Sequence, residues 1–176
     1  ALSLELFKKA VIDKCISEKK KEIKQSYDDE VVATENYYLY ASSKSAGKEI
    51  EFMGKTYKVL ELKNENILDK KIDIALFSAG GDVSKEFAPV FAKHGALVID
   101  NSSAWRRDVN VPLVVPECNP EDILKHKNII ANPNCSTIQA VVALKPLNDT
   151  FKIKRIVYST YQAVSGAGVR GFNDLK

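Results

Sequence analysis

Two apolar runs, IDIALFSA at 72–79 and ALVIDNSS at 96–103, constrain the fold more than any other feature of this chain. Each is apolar almost throughout rather than alternating, the habit of strands buried on both faces of a parallel sheet. Between them, VSKEFAPVFAKHG reads as a helix closed by Gly95, since glycine enters the left-handed conformation that ends helices without a Cβ clash. Strand, helix, strand in that order implies a right-handed crossover and a parallel sheet, hence an α/β fold. Both strands run into small or polar residues, SAGG and DNSS. Open α/β sheets bind ligands at such carboxyl ends, where glycine lets a phosphate or ring approach the backbone. A tight strand-to-helix turn would explain SAGG alone; the two ends together favour a nucleotide crevice, with Ser78, Ala79 and Gly80 facing the ligand.

The rest of the chain is compatible with this unit. Residues 2–31 have helical periodicity, with Leu4, Phe7, Val11, Ile12, Cys15 and Ile16 on one face. YYLY at 37–40 is a short aromatic strand candidate, and SSKSAGK after it is loop chemistry. EIEFMGKTYKVLEL alternates around Met53-Gly54 and reads as a hairpin. A further helix is expected from Ser136 to about Leu147. In a doubly wound fold the loop after an early strand reads the ribose, and an NAD-specific loop places Asp or Glu there. Here Ser43, Lys44 and Ser45 offer hydroxyls and a cation, which suits a 2′-phosphate, although a solvated basic turn would look the same.

Cys135, in NPNCSTIQ, is the candidate nucleophile. It follows an Asn-Pro-Asn turn and precedes an apolar helical run, so it stands at a helix start. Exposed N–H groups and the helix dipole there stabilise a thiolate, and Asn134 could add an amide donor to an oxyanion. An inert packed thiol is the alternative, and it fits Cys15 and Cys118 better. His94 precedes the helix-ending Gly95 and His126 lies in the polar KHKN turn; both read as structural or solvated. Arg106 and Arg107 follow DNSS, where one of the two cations could hold a phosphate or carboxylate.

Composition narrows the classes. Lys plus Arg is 26 against 23 Asp plus Glu, too mild a balance to indicate a nucleic-acid surface. No apolar run reaches the roughly 18 residues of a membrane span, and the first residues carry no signal-peptide pattern. Three cysteines without a CxxC pair argue against a disulfide framework or a metal site and suit a reducing cytoplasm.

The segments YLYASSKSAGKEI, DIALFSAGG, VIDNSSAWR, VPLVVPECNP, ANPNCSTIQ and STYQAVSGAG together closely resemble aspartate-semialdehyde dehydrogenases, nearly continuously from about Tyr37 to Lys176. The resemblance implies a Rossmann-like parallel sheet with helices over 36–133, followed at 134–176 by the beginning of an α+β catalytic and dimerisation domain. It also implies an NADP-linked, phosphate-dependent interconversion of L-aspartate 4-semialdehyde with 4-aspartyl phosphate, in the biosynthesis of lysine, threonine, methionine and diaminopimelate. On that resemblance Cys135 is the nucleophile and Gln162 orients the substrate. Arg106 and Asn134 form the phosphate site. Ser165 and Gly166 form a cofactor-contacting turn, and Ser43, Lys44 and Ser45 form the 2′-phosphate loop, with Lys44 where the family more often has Arg. The implied partners are small molecules and further copies of the chain, not nucleic acid or membrane.

Two departures stand out. Residues 1–35 form a charged helical segment that does not match the family, and no glycine occurs before Gly47, so the family's Gly-rich phosphate loop is missing. The chain also ends about halfway along the family's usual length, before the substrate-binding arginine and the acid/base histidine. A truncated or fused fragment acting at most as a binding module is therefore the alternative expectation.

Overall fold

In the computed structural model the structure describes residues 36–161 apart from 53, together with 164, 171, 173 and 174. The expected N-terminal helix, with Cys15, lies outside the described residues, as do Gln162, Ser165 and Gly166. The strand-helix-strand unit forms as its sequence implies, but its first strand is buried on one face only, with Ala75 and Phe77 inside and Leu76 exposed. Strand β5 (Ile74–Phe77) leads into a helix at Gly81–Lys93, then β6 (Leu97–Asp100) and β7 (Ile129–Ala131). These three strands make one parallel sheet in the order β5-β6-β7, with Ala75 opposite Val98 and Ile99 opposite Ile130. The central strand and β7 are the deeply placed ones, with Val98, Asp100, Ile130 and Ala131 fully buried.

Before this sheet, β1 (Tyr40–Ala41) pairs in parallel with β4 (Leu60–Glu61), and β2 (Glu49–Phe52) pairs antiparallel with β3 (Lys55–Lys58). The expected hairpin is the β2–β3 pair, and its turn residue Gly54 has φ +72, which favours glycine. The aromatic strand candidate YYLY contributes only Tyr40 to regular pairing, although the Leu39 carbonyl also accepts from Leu60 N–H. A one-turn helix α1 (Asn64–Leu68) follows, so the Gly81–Lys93 helix is α2 and the Cys135–Phe151 helix is α3. The α3 helix runs beyond the expected stop near Leu147. Pro146 removes one N–H from its ladder, but a Lys145–Asp149 ion pair at 2.6 Å spans the position. Lys152 then ends the helix in a left-handed conformation, φ 54, with its N–H on the Asn148 carbonyl.

The core gathers on α2. Ala88 and Phe91 pack against Ala75, Phe77, Val98 and Ile67. A second cluster of Ile99, Val114, Ile123 and Ile130 covers the other part of the sheet. His94 caps α2 and is exposed, and Gly95 after it has φ +88. His126 accepts the Asn128 N–H on Nδ1. His94 is thus solvated at the end of α2, and His126 holds the turn before β7.

Candidate active site

The carboxyl ends of the three parallel strands converge on one edge. After β5 come Ser78, Ala79 and Gly80, all exposed. Gly80 is the N-cap of α2 with φ 97 and ψ 166, a conformation open essentially only to glycine. No side chain caps this helix start, so its first-turn N–H groups are left for an outside acceptor. Around Gly80 a Cβ would meet nothing within 4 Å, whereas at Gly81 it would come 3.8 Å from Ser103 Oγ. The cradle is therefore one of backbone conformation. Gly80→Ala should cost about 1–3 kcal/mol through strain, while Gly81→Ala, in ordinary contact, should be near neutral. Chemical denaturation of the two variants checks this.

The second strand end folds back over the first. Asn101 N–H donates to the Phe77 carbonyl at 2.9 Å, continuing the β5–β6 ladder. Asp100 accepts from Ser102 Oγ at 2.6 Å, and Ser102 Oγ in turn accepts the Ala104 N–H. Trp105 Nε1 donates to the buried Ser84 Oγ at 2.9 Å, which fastens the DNSSAW loop to the first turn of α2. Arg106 then turns inward. Its Nε donates to the Asn132 carbonyl at 2.8 Å and its Nη2 to the Asn101 carbonyl at 3.2 Å. Arg107 is exposed. Of the two cations, Arg106 is the one that faces the strand ends.

The third strand end delivers the cysteine. Asn132 N–H donates to the Asp100 carbonyl at 2.8 Å, and Pro133 is buried. Asn134 is the N-cap of α3, its Oδ1 accepting the Ser136 N–H at 3.0 Å. Cys135 is the first helical residue and is exposed. This sharpens the reading of Asn134: its side-chain oxygen holds the helix start, which leaves the amide nitrogen as the group that can donate outward. Loss of this cap in Asn134→Ala should cost about 1 kcal/mol of stability, and Asn134→Asp should retain it; thermal melts compare the two.

Cys118 differs in every respect. It is half-buried, its Sγ donates to the Val141 carbonyl at 3.5 Å, and burial pushes its thiol up, with Glu117 adding to the effect. It lines a cavity of about 340 Å³ with Leu144, Ile156 and Tyr158, away from the strand ends. Ser43 and Lys44 are exposed and Ser45 half-buried in the turn after β1, where the Ser42 carbonyl accepts Ser45 N–H at 2.9 Å. No hydrogen bond joins this turn to Ser78–Gly80 among the described residues. The link is indirect, through Tyr40 and Phe77, both ring-packed on Phe91. Among the described residues no group of His, Cys, Asp or Glu could hold a metal ion, and no helix is long and apolar enough to cross a membrane.

One pair was not anticipated from the sequence: Asn132 Nδ2 donates to Asn101 Oδ1 at 2.6 Å. Both were seen as parts of their motifs, DNSS and NPNC, but a side-chain contact across 31 residues leaves no periodic signal.

Comparison with known proteins decides the family. Residues 29–126 match the model of the semialdehyde dehydrogenase NAD binding domain, and 144–176 match the semialdehyde dehydrogenase dimerisation domain. The chain belongs to the semialdehyde dehydrogenase family. An aspartate-semialdehyde dehydrogenase of Aquifex aeolicus is 66% identical over 140 residues, covering 78% of this chain and 41% of that protein. The solved structure of aspartate semialdehyde dehydrogenase II from Vibrio cholerae complexed with ASA has a TM-score of 0.70 at 50% identity, over 78% of this chain and 41% of that one. The Candida albicans aspartate semialdehyde dehydrogenase solved with NADP has a TM-score of 0.57 at 33% identity, over 68% and 40%. This chain therefore spans about two fifths of the length of these family members. Its Rossmann-like sheet and its family agree.

Proposed function

We propose that this chain supplies the cofactor-binding part and the nucleophile of an aspartate-semialdehyde dehydrogenase. The observation that carries the reading is an exposed Cys135 at the first turn of α3, with Arg106 anchored to Asn132 three residues before it. In this reading residues 36–133 form the NADP-binding domain and 134–176 begin the catalytic and dimerisation domain; of the segment 1–35, residues 29–35 fall within the family match and the rest stands apart. The whole enzyme is a cytoplasmic homo-oligomer.

The chemistry follows from charge placement. The Cys135 sulfur adds to the aldehyde carbon of L-aspartate 4-semialdehyde, and the carbonyl oxygen becomes an oxyanion. Ser136 N–H is occupied by the cap, so the Cys135 and Thr137 N–H groups of the same turn, with the Asn134 amide nitrogen, are the donors available to that oxygen. Loss of hydride from this carbon leaves an acyl-thioester on Cys135. Phosphate, held by the free N–H groups of Arg106, attacks the thioester carbonyl; the C–S bond breaks and 4-aspartyl phosphate leaves. NADP⁺, when bound, supplies the hydride acceptor. The residues present fit part of that cofactor: the uncapped start of α2, Gly80 with open space above its Cα, and exposed Ser78 and Ala79. Ser43, Lys44 and Ser45 would take its 2′-phosphate. Gln162 would orient the substrate, and Ser165 and Gly166 would complete the cofactor turn.

The test is phosphate-dependent NADP⁺ reduction by the chain with L-aspartate 4-semialdehyde, with peptide mapping for an acyl adduct. An adduct on Cys135 and loss of turnover in Cys135→Ser are expected. Turnover unchanged in that variant, or an adduct on Cys118 instead, overturns the reading.

A further inference from the structure

Arg106 is useful to an anion only if its planar fork faces the right way, and the structure shows what sets that orientation. Two of its five N–H donors are spent on backbone carbonyls, those of Asn132 and Asn101. The remaining three are left free by this anchoring. The two carbonyls stand at the ends of different strands, β7 and β6, so their spacing depends on how those ends are held together. Backbone bonds hold each one: Asn101 N–H on Phe77 and Asn132 N–H on Asp100. One side-chain bond ties them directly to each other, from Asn132 Nδ2 to Asn101 Oδ1 at 2.6 Å.

That bond is kept at a cost in stability. Asn132 is 2% exposed, and its own Oδ1 is buried without a hydrogen-bond partner among the described residues, as is Oδ1 of Asp100, which stands in register with the preceding Ala131. An unmet buried acceptor costs about 1–3 kcal/mol. An apolar side chain at 132 would avoid this and serve the core better. What the amide adds is a donor aimed at Asn101, and what that donor fixes is the separation of the two carbonyls under the guanidinium.

We propose that the Asn101–Asn132 amide pair is a positioning device that sets the Arg106 guanidinium for an anion arriving beside Cys135. The proposal rests on the phosphate role given to Arg106 above. Asn101 and Asn132 act through Arg106 and need not touch the ligand themselves.

The half-buried Asn101 is the place to test it. Asn101→Asp keeps the acceptor for Asn132 Nδ2, whereas Asn101→Leu removes it in a similar volume. Two quantities are read on the chain: exchange of the Arg106 Nε–H by NMR, and the concentration of inorganic phosphate that half-protects Cys135 from iodoacetamide. In Asn101→Leu the Nε–H should exchange freely and the half-protecting phosphate should rise about tenfold, the lower end of what outer partners of a ligating group contribute. In Asn101→Asp the Nε–H should stay protected. Native-like amide resonances for Val98 and Ile130 show that each variant keeps the β6–β7 core. If Asn101→Leu keeps both the Nε–H protection and the phosphate response of the parent, the positioning role is overturned while the reading of Arg106 survives. If phosphate fails to protect Cys135 in the parent chain, that reading falls and the proposal with it.

Discussion

At neutral pH a limiting amount of iodoacetamide should modify Cys135 at least about tenfold faster than Cys118, because Cys135 is open to the reagent while burial disfavours the Cys118 thiolate. Cys135 is exposed and stands at the first turn of α3, where the positive end of the helix dipole meets negative charge developing on sulfur. Cys118 is half-buried with its Sγ on the Val141 carbonyl. Burial raises its pKa above the ordinary thiol value, and the Glu117 carboxylate raises it further. The sign is simple: a raised pKa leaves less thiolate at any given pH. Labelling of Cys118 should therefore catch up only as the pH climbs past the usual thiol range. Mass spectrometry of the two peptides across a pH series makes the comparison. Faster labelling of Cys118 at neutral pH would remove the ground for treating Cys135 as the nucleophile.

The parts of this site that depend on backbone conformation could be read in the sequence. Gly80 announces a strand-to-helix turn that side chains resist, and the structure places it at φ 97. Gly95 announces the end of α2, and Met53-Gly54 announces a two-residue hairpin. Asn-Pro-Asn before an apolar run announces the start of α3, since the cap, the rigid turn and the helix are all local. Each of these signals comes from residues within a few positions of one another.

What could not be read is long-range. The choice between Arg106 and Arg107 depends on which one meets carbonyls at 101 and 132, and no local pattern contains that information. The docking of Trp105 on Ser84 and the Asn101–Asn132 pair join elements that meet only after the sheet has formed. The end of α3 lies beyond its expected stop for a different reason. Proline weakens a helix interior, yet Lys145–Asp149 and the Lys152 cap carry α3 on to Phe151. Tertiary context also shortens the aromatic strand at 37–40, where Tyr37 turns to Phe52 and Tyr57 of the hairpin in edge-to-face contacts.

Phe91→Ala should be the most damaging single substitution in the cofactor-side core, costing about 3–5 kcal/mol. Phe91 is 3% exposed on the sheet-facing side of α2. Its ring meets Phe77 of β5 at 5.3 Å and 89°, and Tyr40 of β1 at 5.8 Å and 85°. Both are edge-to-face geometries, which add to the area term. The ring therefore joins the strand leading to Ser78–Gly80 with the strand leading to Ser43–Ser45, two segments that share no hydrogen bond among the described residues. Since a domain has only about 5–15 kcal/mol in total, a loss of this size should remove a large share of its stability. Phe91→Leu keeps most of the volume and should cost less than about 2 kcal/mol, a difference that separates cavity formation from loss of ring geometry. Urea denaturation gives the stabilities, and amide exchange shows where the damage falls. In Phe91→Ala the amides of the Ser43–Ser45 turn should lose protection before those of Val98 and Ile130, which rest partly on the separate Ile99–Ile130 cluster. An unfolding free energy within about 1 kcal/mol of the parent's, or a uniform loss of protection, would mean that β1 is held to the sheet by something other than this ring.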